Sequence, residues 1–256
     1  MSLSIDERIS FIESLDIYND PAIAAEATAA SGSAAVNGSA AVYYAANVSA
    51  QMKARPGRSF SAFANDVINS TLFAQLTADA KYPGRPMNKM QEWYNCYKQV
   101  LERIGWVVMR FLMSEVDNAN SYGSVDKLVL KLAAAQLTEG ELALLTKTIT
   151  ALKHPKNSDA VRIFDSKAGY TNDASFQVGV ASNSGGHTLF HISTHQYHSS
   201  DRITSVLFST FGPSKVSFFT SNQTMLLNGD VYTQVRQAVL KRLGENAIKL
   251  VKSIDI

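Results

Sequence analysis

The chain has 256 residues, 46% of them hydrophobic and 18% charged, with a net charge of +2. That length and balance fit a soluble globular protein with one full core, less readily two, and supply no electrostatic argument for nucleic acid. A single cysteine, Cys96, excludes an intrachain disulfide and a cysteine-based zinc site.

The N-terminus is polar and acidic, without a secretory pattern, and no apolar run reaches the ~18–20 residues of a spanning helix. The expectation is a protein made soluble in the cytoplasm. Ser4 and Glu7 have capping-box spacing and open a first helix, with Ile5, Ile9, Phe11 and Ile12 as its stripe and Asn19-Asp20-Pro21 as its stop. The alanine-rich stretch Ala22–Ala50 reads as a short helix over Ala22–Ala30, a loose turn through Gly38 and a second helix over Ala40–Ala54. After Arg55-Pro56-Gly57-Arg58, helix resumes over Ser59–Ala80, and Tyr82-Pro83-Gly84-Arg85-Pro86 ends it.

The strongest helical pattern is Asn88–Ser114, with Met90, Trp93, Tyr94, Tyr97, Leu101, Ile104, Val108 and Phe111 on one face. Cys96 borders that face and reads first as a small buried hydrophobe, second as a lipid-modified or redox-active thiol. A turn at Asp117–Gly123 leads to a helix over Ser124–Ala135. The pair Thr138/Glu141 caps another that runs to about Lys153. Helical layers thus occupy residues 4–153.

From Ala160 to Asn228 the period changes from near 3.6 to 2. Strands are expected at Ala160–Asp165, Ser175–Ala181, His187–Tyr197, Ile203–Phe211 and Lys215–Leu227, the last two joined by a hairpin at Gly212-Pro213-Ser214. A terminal helix, Val231–Lys252, follows Gly229-Asp230, with Gly244 as an interruption. The fold class is α/β of the α+β type: a single domain over residues 1–256 with an antiparallel sheet wrapped by helical hairpins.

His187, His191, His195 and His198 fall within a dozen residues. On a helix they would stack as metal ligands. Within a strand, histidines four apart lie ~13 Å apart, so one metal cannot take both. A solvent-facing or pH-sensitive role fits better, and no metal or cofactor is expected. There is no nucleophile elbow, phosphate-binding glycine loop, dinucleotide fingerprint or HExxH motif, so the expectation is a protein that is not an enzyme. A strand set rich in Ser and Thr beside apolar residues fits a plain α+β sandwich. It also fits a wall with one lipid-facing side.

Three short motifs carry a resemblance. They are Ile163-Phe164 followed by Lys167, the turn Ser184-Gly185-Gly186, and Val206-Leu207-Phe208-Ser209-Thr210 as a V-L-F-x-T strand, preceded by the helices Trp93–Phe111 and Leu142–Leu152. In these the chain resembles the Cyt δ-endotoxins and volvatoxin-type cytolysins over roughly Gln91 to Leu227. Ala22–Ala50 and Val231–Lys252 depart from that pattern, which leaves the family's proteolytic activation without a counterpart here. A looser likeness, in layout and lone cysteine only, is to the Erwinia virulence factor.

The resemblance implies a Cyt-like domain that binds the phospholipid of a target-cell membrane, moves its helices aside, inserts strands and self-associates there. Insects or other eukaryotes are the implied targets. By that analogy the inserting residues are Phe176, Val178, Val180, Leu189, Ile192, Val206, Phe208, Val216, Phe218 and Leu226, with His187, His191 and His195 as pH sensors. The alternative is a non-lytic virulence or lipid-carrying protein S-acylated on Cys96.

Overall fold

In a computed structural model of the chain, residues 3–19, 34–38, 40–44, 60–108, 113–184, 187–212 and 216–254 are described. Helix α1 (Ile5–Ser14) starts where the capping box places it: Ser4 Oγ accepts from the Glu7 amide, and Glu7 Oε2 accepts from the Ser4 amide at 2.7 Å. It ends at Ser14, short of the Asn19-Asp20-Pro21 stop.

Strands β1 (Ala34–Asn37) and β2 (Ala40–Tyr44) form an antiparallel hairpin around Gly38, whose φ is +55°. The expected turn at Gly38 is therefore present, but residues 40–44 are strand, not helix. Alanine side chains bury too little area to anchor a helix, whereas β2 gains a ladder of main-chain bonds beside a long neighbouring strand. The expected helices over Ala22–Ala30 and 45–54 lie outside the described residues.

Helix α2 (Phe60–Lys81) follows, then α3 (Met90–Arg103), which buries Met90, Trp93, Tyr94, Tyr97, Val100 and Leu101. The helix expected to run to Ser114 stops at Arg103, two residues before Gly105, whose φ of +111° few other residues tolerate. Trp106–Val108 is strand β3 instead, and Ser114–Glu115 is β4. Helix α4 (Val125–Ala133) and α5 (Glu139–Leu152) match expectation, including the Thr138/Glu141 capping box.

Ala160–Asp165, expected as strand, lies within helix α6 (Ser158–Ala168). Its buried residues Ala160, Ile163, Phe164, Lys167 and Ala168 have helical spacing, which the six-residue β-branched window hides and the eleven-residue one reveals. Strand β5 (Gly169–Tyr170) precedes three long strands, β6 (Asp173–Ser184), β7 (His187–Ser199) and β8 (Val216–Leu227).

The segment Ile203–Phe211 is not a strand and does not pair with β8, while Pro213 and Ser214 of the expected hairpin turn lie outside the described residues. β7 pairs along one edge of β8 over its whole length, and β3 and β4 pair along the other. Asn228 caps α7 (Gly229–Leu243), accepting from the amides of Asp230 and Val231, each at 3.1 Å. Gly244, at φ +51°, interrupts the expected terminal helix. A short α8 (Asn246–Lys249) and strand β9 (Val251–Ser253) replace its end.

The sheet order is β3-β8-β7-β6-β2-β1-β9, with β4 against β8 and β5 against β6. The pairings are antiparallel, as expected, except that of β2 with β6, which is parallel. The buried apolar residues of sheet and helices form a single cluster.

Candidate functional site

The site with the most unusual chemistry is the three-strand ladder β6–β7–β8. The strands have 12, 13 and 12 residues, and each adjacent pair runs in unbroken register over twelve residue pairs. At ~3.3 Å per residue each spans ~40 Å. Directly opposed residues share a face, so the register sorts the side chains into two sets.

On the first face β6 presents an apolar row, Phe176, Val178 and Val180, each at most 2% exposed. Beside it β7 and β8 present polar side chains that bond across the strands. His191 Nδ1 meets Thr224 Oγ1 at 3.0 Å, Ser193 Oγ donates to Asn222 Oδ1 at 2.6 Å, and His195 Nδ1 meets Thr220 Oγ1 at 3.1 Å. The pairing lets polar groups sit under a helical layer, because each gives its neighbour a partner. A cavity of about 10 Å³, room for one water, lies where Leu145 of α5 crosses Val178, Ser193 and Asn222.

His195 is fully buried between the rings of Phe176 and Phe218, with centroids 5.1 and 5.6 Å away. Its Nε2 has no hydrogen-bond partner, and burial alone pushes its pKa down to about 3.

Residues 203–211 cross this face as an irregular strap. Asp165 Oδ1 of α6 accepts from the Val206 amide at 3.0 Å, and Tyr197 donates its hydroxyl to the Val206 carbonyl at 2.8 Å. Further along, the Val125 amide donates to Ser209 O and the Phe211 amide to Gly123 O, each at 3.0 Å. The strap thus ties α6, β7 and the start of α4 together. Burial raises the Asp165 carboxyl above its ordinary range, against the lowering effect of the Val206 amide.

The second face carries a buried polar layer, Ser175, Gln177, Thr194, Gln196, Ser221 and Gln223. Helices α2 and α3 cover it: the hydroxyls of Tyr94 and Ser175 lie 3.2 Å apart, and Tyr97 OH and Gln75 Nε2 both donate to Gln177 Oε1 at 3.3 Å. Arg85 binds Asp79 with two bonds of 2.6 and 2.9 Å and stacks its guanidinium on Trp93, whose indole also donates to Asp79 at 2.8 Å. Both tryptophans belong to the core: Trp106 is buried and donates to Ser70 Oγ at 2.9 Å.

Of the proposed inserting residues, the register puts Phe176, Val178, Val180, Leu189, Val216, Phe218 and Leu226 on the first face and Ile192 on the second. Val206 and Phe208 lie in the strap, not in a strand. His187 pairs through its backbone with Ser184 at the start of β7, while His191 and His195 join separate cross-strand pairs. His198 lies apart, 2.8 Å from Asp173. Among the described residues no group of three His, Cys, Asp or Glu is placed to hold a metal, and no helix is long and apolar enough to cross a membrane.

Cys96 is half-buried on α3 beside a groove of about 350 Å³ lined in part by Phe11, Leu15, Lys81 and Val100, and burial pushes its thiol pKa up. The cross-strand polar pairs and the strap escape sequence reasoning. Their one signal is the alternation of His, Ser and Thr along His191–His195, which no longer looks accidental once β8 supplies Thr220, Asn222 and Thr224 opposite.

No family model matches the chain, and no curated protein matches it either. Among solved structures, a delta-endotoxin is similar at a TM-score of 0.38 and 11% identity, over 86% of this chain and 96% of that one. The Evf virulence factor is similar at a TM-score of 0.30 and 13% identity, over 93% and 89%. These are likenesses of fold layout and say nothing of chemistry.

Proposed function

We propose that the chain is a membrane-active cytolytic protein, without catalytic chemistry, that stores β6–β8 beneath its helices and exposes them at a phospholipid surface. The observation that carries this reading is the ladder itself. Three adjacent strands in unbroken register each exceed the ~9–11 residues that a tilted strand needs to cross the hydrocarbon layer. In the inserted state the β6 row Phe176, Val178 and Val180 faces lipid, and the layer around Gln177, Thr194 and Gln223 faces water.

The pairs of His191, Ser193 and His195 with Thr224, Asn222 and Thr220 are bonded within the sheet, so they travel with it. Three strands leave open edges, and edges are not tolerated in lipid, so several copies must assemble to close a wall. Lifting the helical layer uncovers apolar area at about 25 cal/mol per Å², which lipid contact has to offset.

Acid favours lifting of the helical layer, because covered His195 resists the proton that it accepts once water reaches this face. Dye release from phospholipid vesicles tests the reading: leakage supports it, and intact vesicles at every pH and lipid composition sink it. Equal leakage at acid and alkaline pH would remove the histidine contribution alone.

A second reading rests on Cys96 and its groove: a non-lytic lipid carrier with an acyl chain on the thiol and its tail against Phe11, Leu15 and Val100. Intact mass of protein from its native source decides it, since an unmodified chain excludes the thioester.

A further inference from the structure

Several surface lysines of the described chain lie beside a carboxylate. Lys89 meets Glu92, Lys98 meets Glu102, Lys241 meets Glu13 and Lys249 meets Glu245. Lys81 on α2 and Lys127, Lys131 and Lys147 differ: all four are exposed, and none has a carboxylate partner among the described residues. Lys127, Lys131 and Lys147 belong to the α4–α5 pair.

Their placement follows from one ion pair. Lys153, just past the end of α5, binds Asp126 at the start of α4 at 2.6 Å, and a short loop joins the other ends, so the two helices are antiparallel neighbours. Lys131 lies five residues along α4 from Asp126, ~7.5 Å of rise, and Lys147 six residues back along α5 from Lys153, ~9 Å. They sit at nearly the same height on adjacent helices, whose axes in such packing are ~8–10 Å apart. Lys127 is beside the Asp126–Lys153 pair.

The exposed residues between them are small: Ala134, Ala143, Thr146 and Thr150. The acids of this pair of helices stand aside. Asp126 is buried and neutralised by Lys153, Glu141 is tied into the Thr138 cap, and Glu139 lies with it in the first turn of α5. In the next helix Asp159 is engaged with Arg162.

We propose that the outer face of α4–α5 is the docking surface for an anionic phospholipid bilayer. The proposal rests on the membrane-active reading above and names the face that meets the membrane first. A low surface of Ala and Thr lets three long unpaired ammonium groups reach a plane of phosphates together, and each lysine near an anionic surface adds to binding. Docking here also puts the layer that covers the first face of the sheet at the membrane, where its removal would deliver β6 to lipid.

The test is co-sedimentation of the full chain with phosphatidylcholine vesicles containing or lacking phosphatidylglycerol, at low and high salt. The expected result is salt-sensitive binding to the anionic vesicles that weakens roughly a hundredfold in K127Q/K131Q/K147Q. The surface variant K89Q/K98Q/K241Q should bind like the parent. The proposal is overturned if the parent ignores anionic vesicles, if both triple variants lose binding equally, or if duplex DNA displaces the vesicles and proves the tighter ligand.

Dye release in the same samples separates the two ideas. Lysine-dependent binding without leakage keeps the docking face and removes the lytic reading. Leakage with lysine-independent binding does the reverse.

Discussion

Tyr197 donates its hydroxyl to the carbonyl of Val206 at 2.8 Å, while Asp165 accepts from the amide of the same residue at 3.0 Å. One buried residue of the strap is therefore held at both polar ends by side chains from the sheet and from α6. Tyr197→Phe should leave the Val206 carbonyl buried without a donor, at a cost of ~1–3 kcal/mol. Equilibrium denaturation reads the global loss, and hydrogen exchange should show earlier opening of 203–211 than of β7. A variant as protected as the parent would mean that Val206 and Leu207 hold the strap by packing alone.

Stability should fall with acid through His195. Its folded pKa, about 3, lies below the ordinary 6.5, so the folded protein binds fewer protons than the unfolded chain between those values. Its contribution is complete above pH 6.5 and is lost progressively as pH drops toward 3, by on the order of a few kcal/mol. Asp165 acts in the opposite sense: its raised folded pKa favours the fold at low pH and is lost as pH rises through that value. His195→Gln should flatten the acid limb of a stability–pH curve, whereas an unchanged slope would show that other groups set it.

The Asp79–Arg85–Trp93 cluster predicts a large asymmetric loss. Arg85→Ala removes both bonds to Asp79 and leaves a buried carboxylate facing an indole N–H alone. Breaking one side of such a pair costs ~3–5 kcal/mol. Thermal and urea denaturation check this, and a loss under 1 kcal/mol would show that water reaches Asp79.

Gly179 sits in the middle of β6, where an added Cβ would lie 2.5 Å from the Phe190 ring and 2.8 Å from the carbonyl oxygen of His191. The backbone oxygen cannot move aside without breaking the β6–β7 ladder. Gly179→Ala should destabilise by ~1–3 kcal/mol through overpacking, despite alanine's better strand entropy. A neutral result would mean that the two strands shift together.

The amino-acid sequence alone determined the elements whose signals are local. The capping boxes at Ser4 and Thr138, the stripe of α3 through Leu101, the breaks at Gly38 and Gly244 and the long strands β6, β7 and β8 all follow from residues within one or two turns of each other. Tertiary structure decided what short windows leave open. Ile163 and Phe164 favour strand until Ala160, Lys167 and Ala168 complete a helical face, and Val206–Thr210 reads as a strand although β7 already occupies one edge of β8 and β3 and β4 pair along the other. Ala40–Tyr44 becomes a strand because β6 offers it a ladder, which outweighs the helical preference of alanine. The same holds for the site. Histidines spaced four apart can be counted in the sequence, but the Thr224 and Thr220 opposite His191 and His195 come from a strand some thirty residues away. Only the register of β7 with β8 turns isolated polar residues into cross-strand hydrogen-bonded pairs, because pairing depends on distance in space and not along the chain.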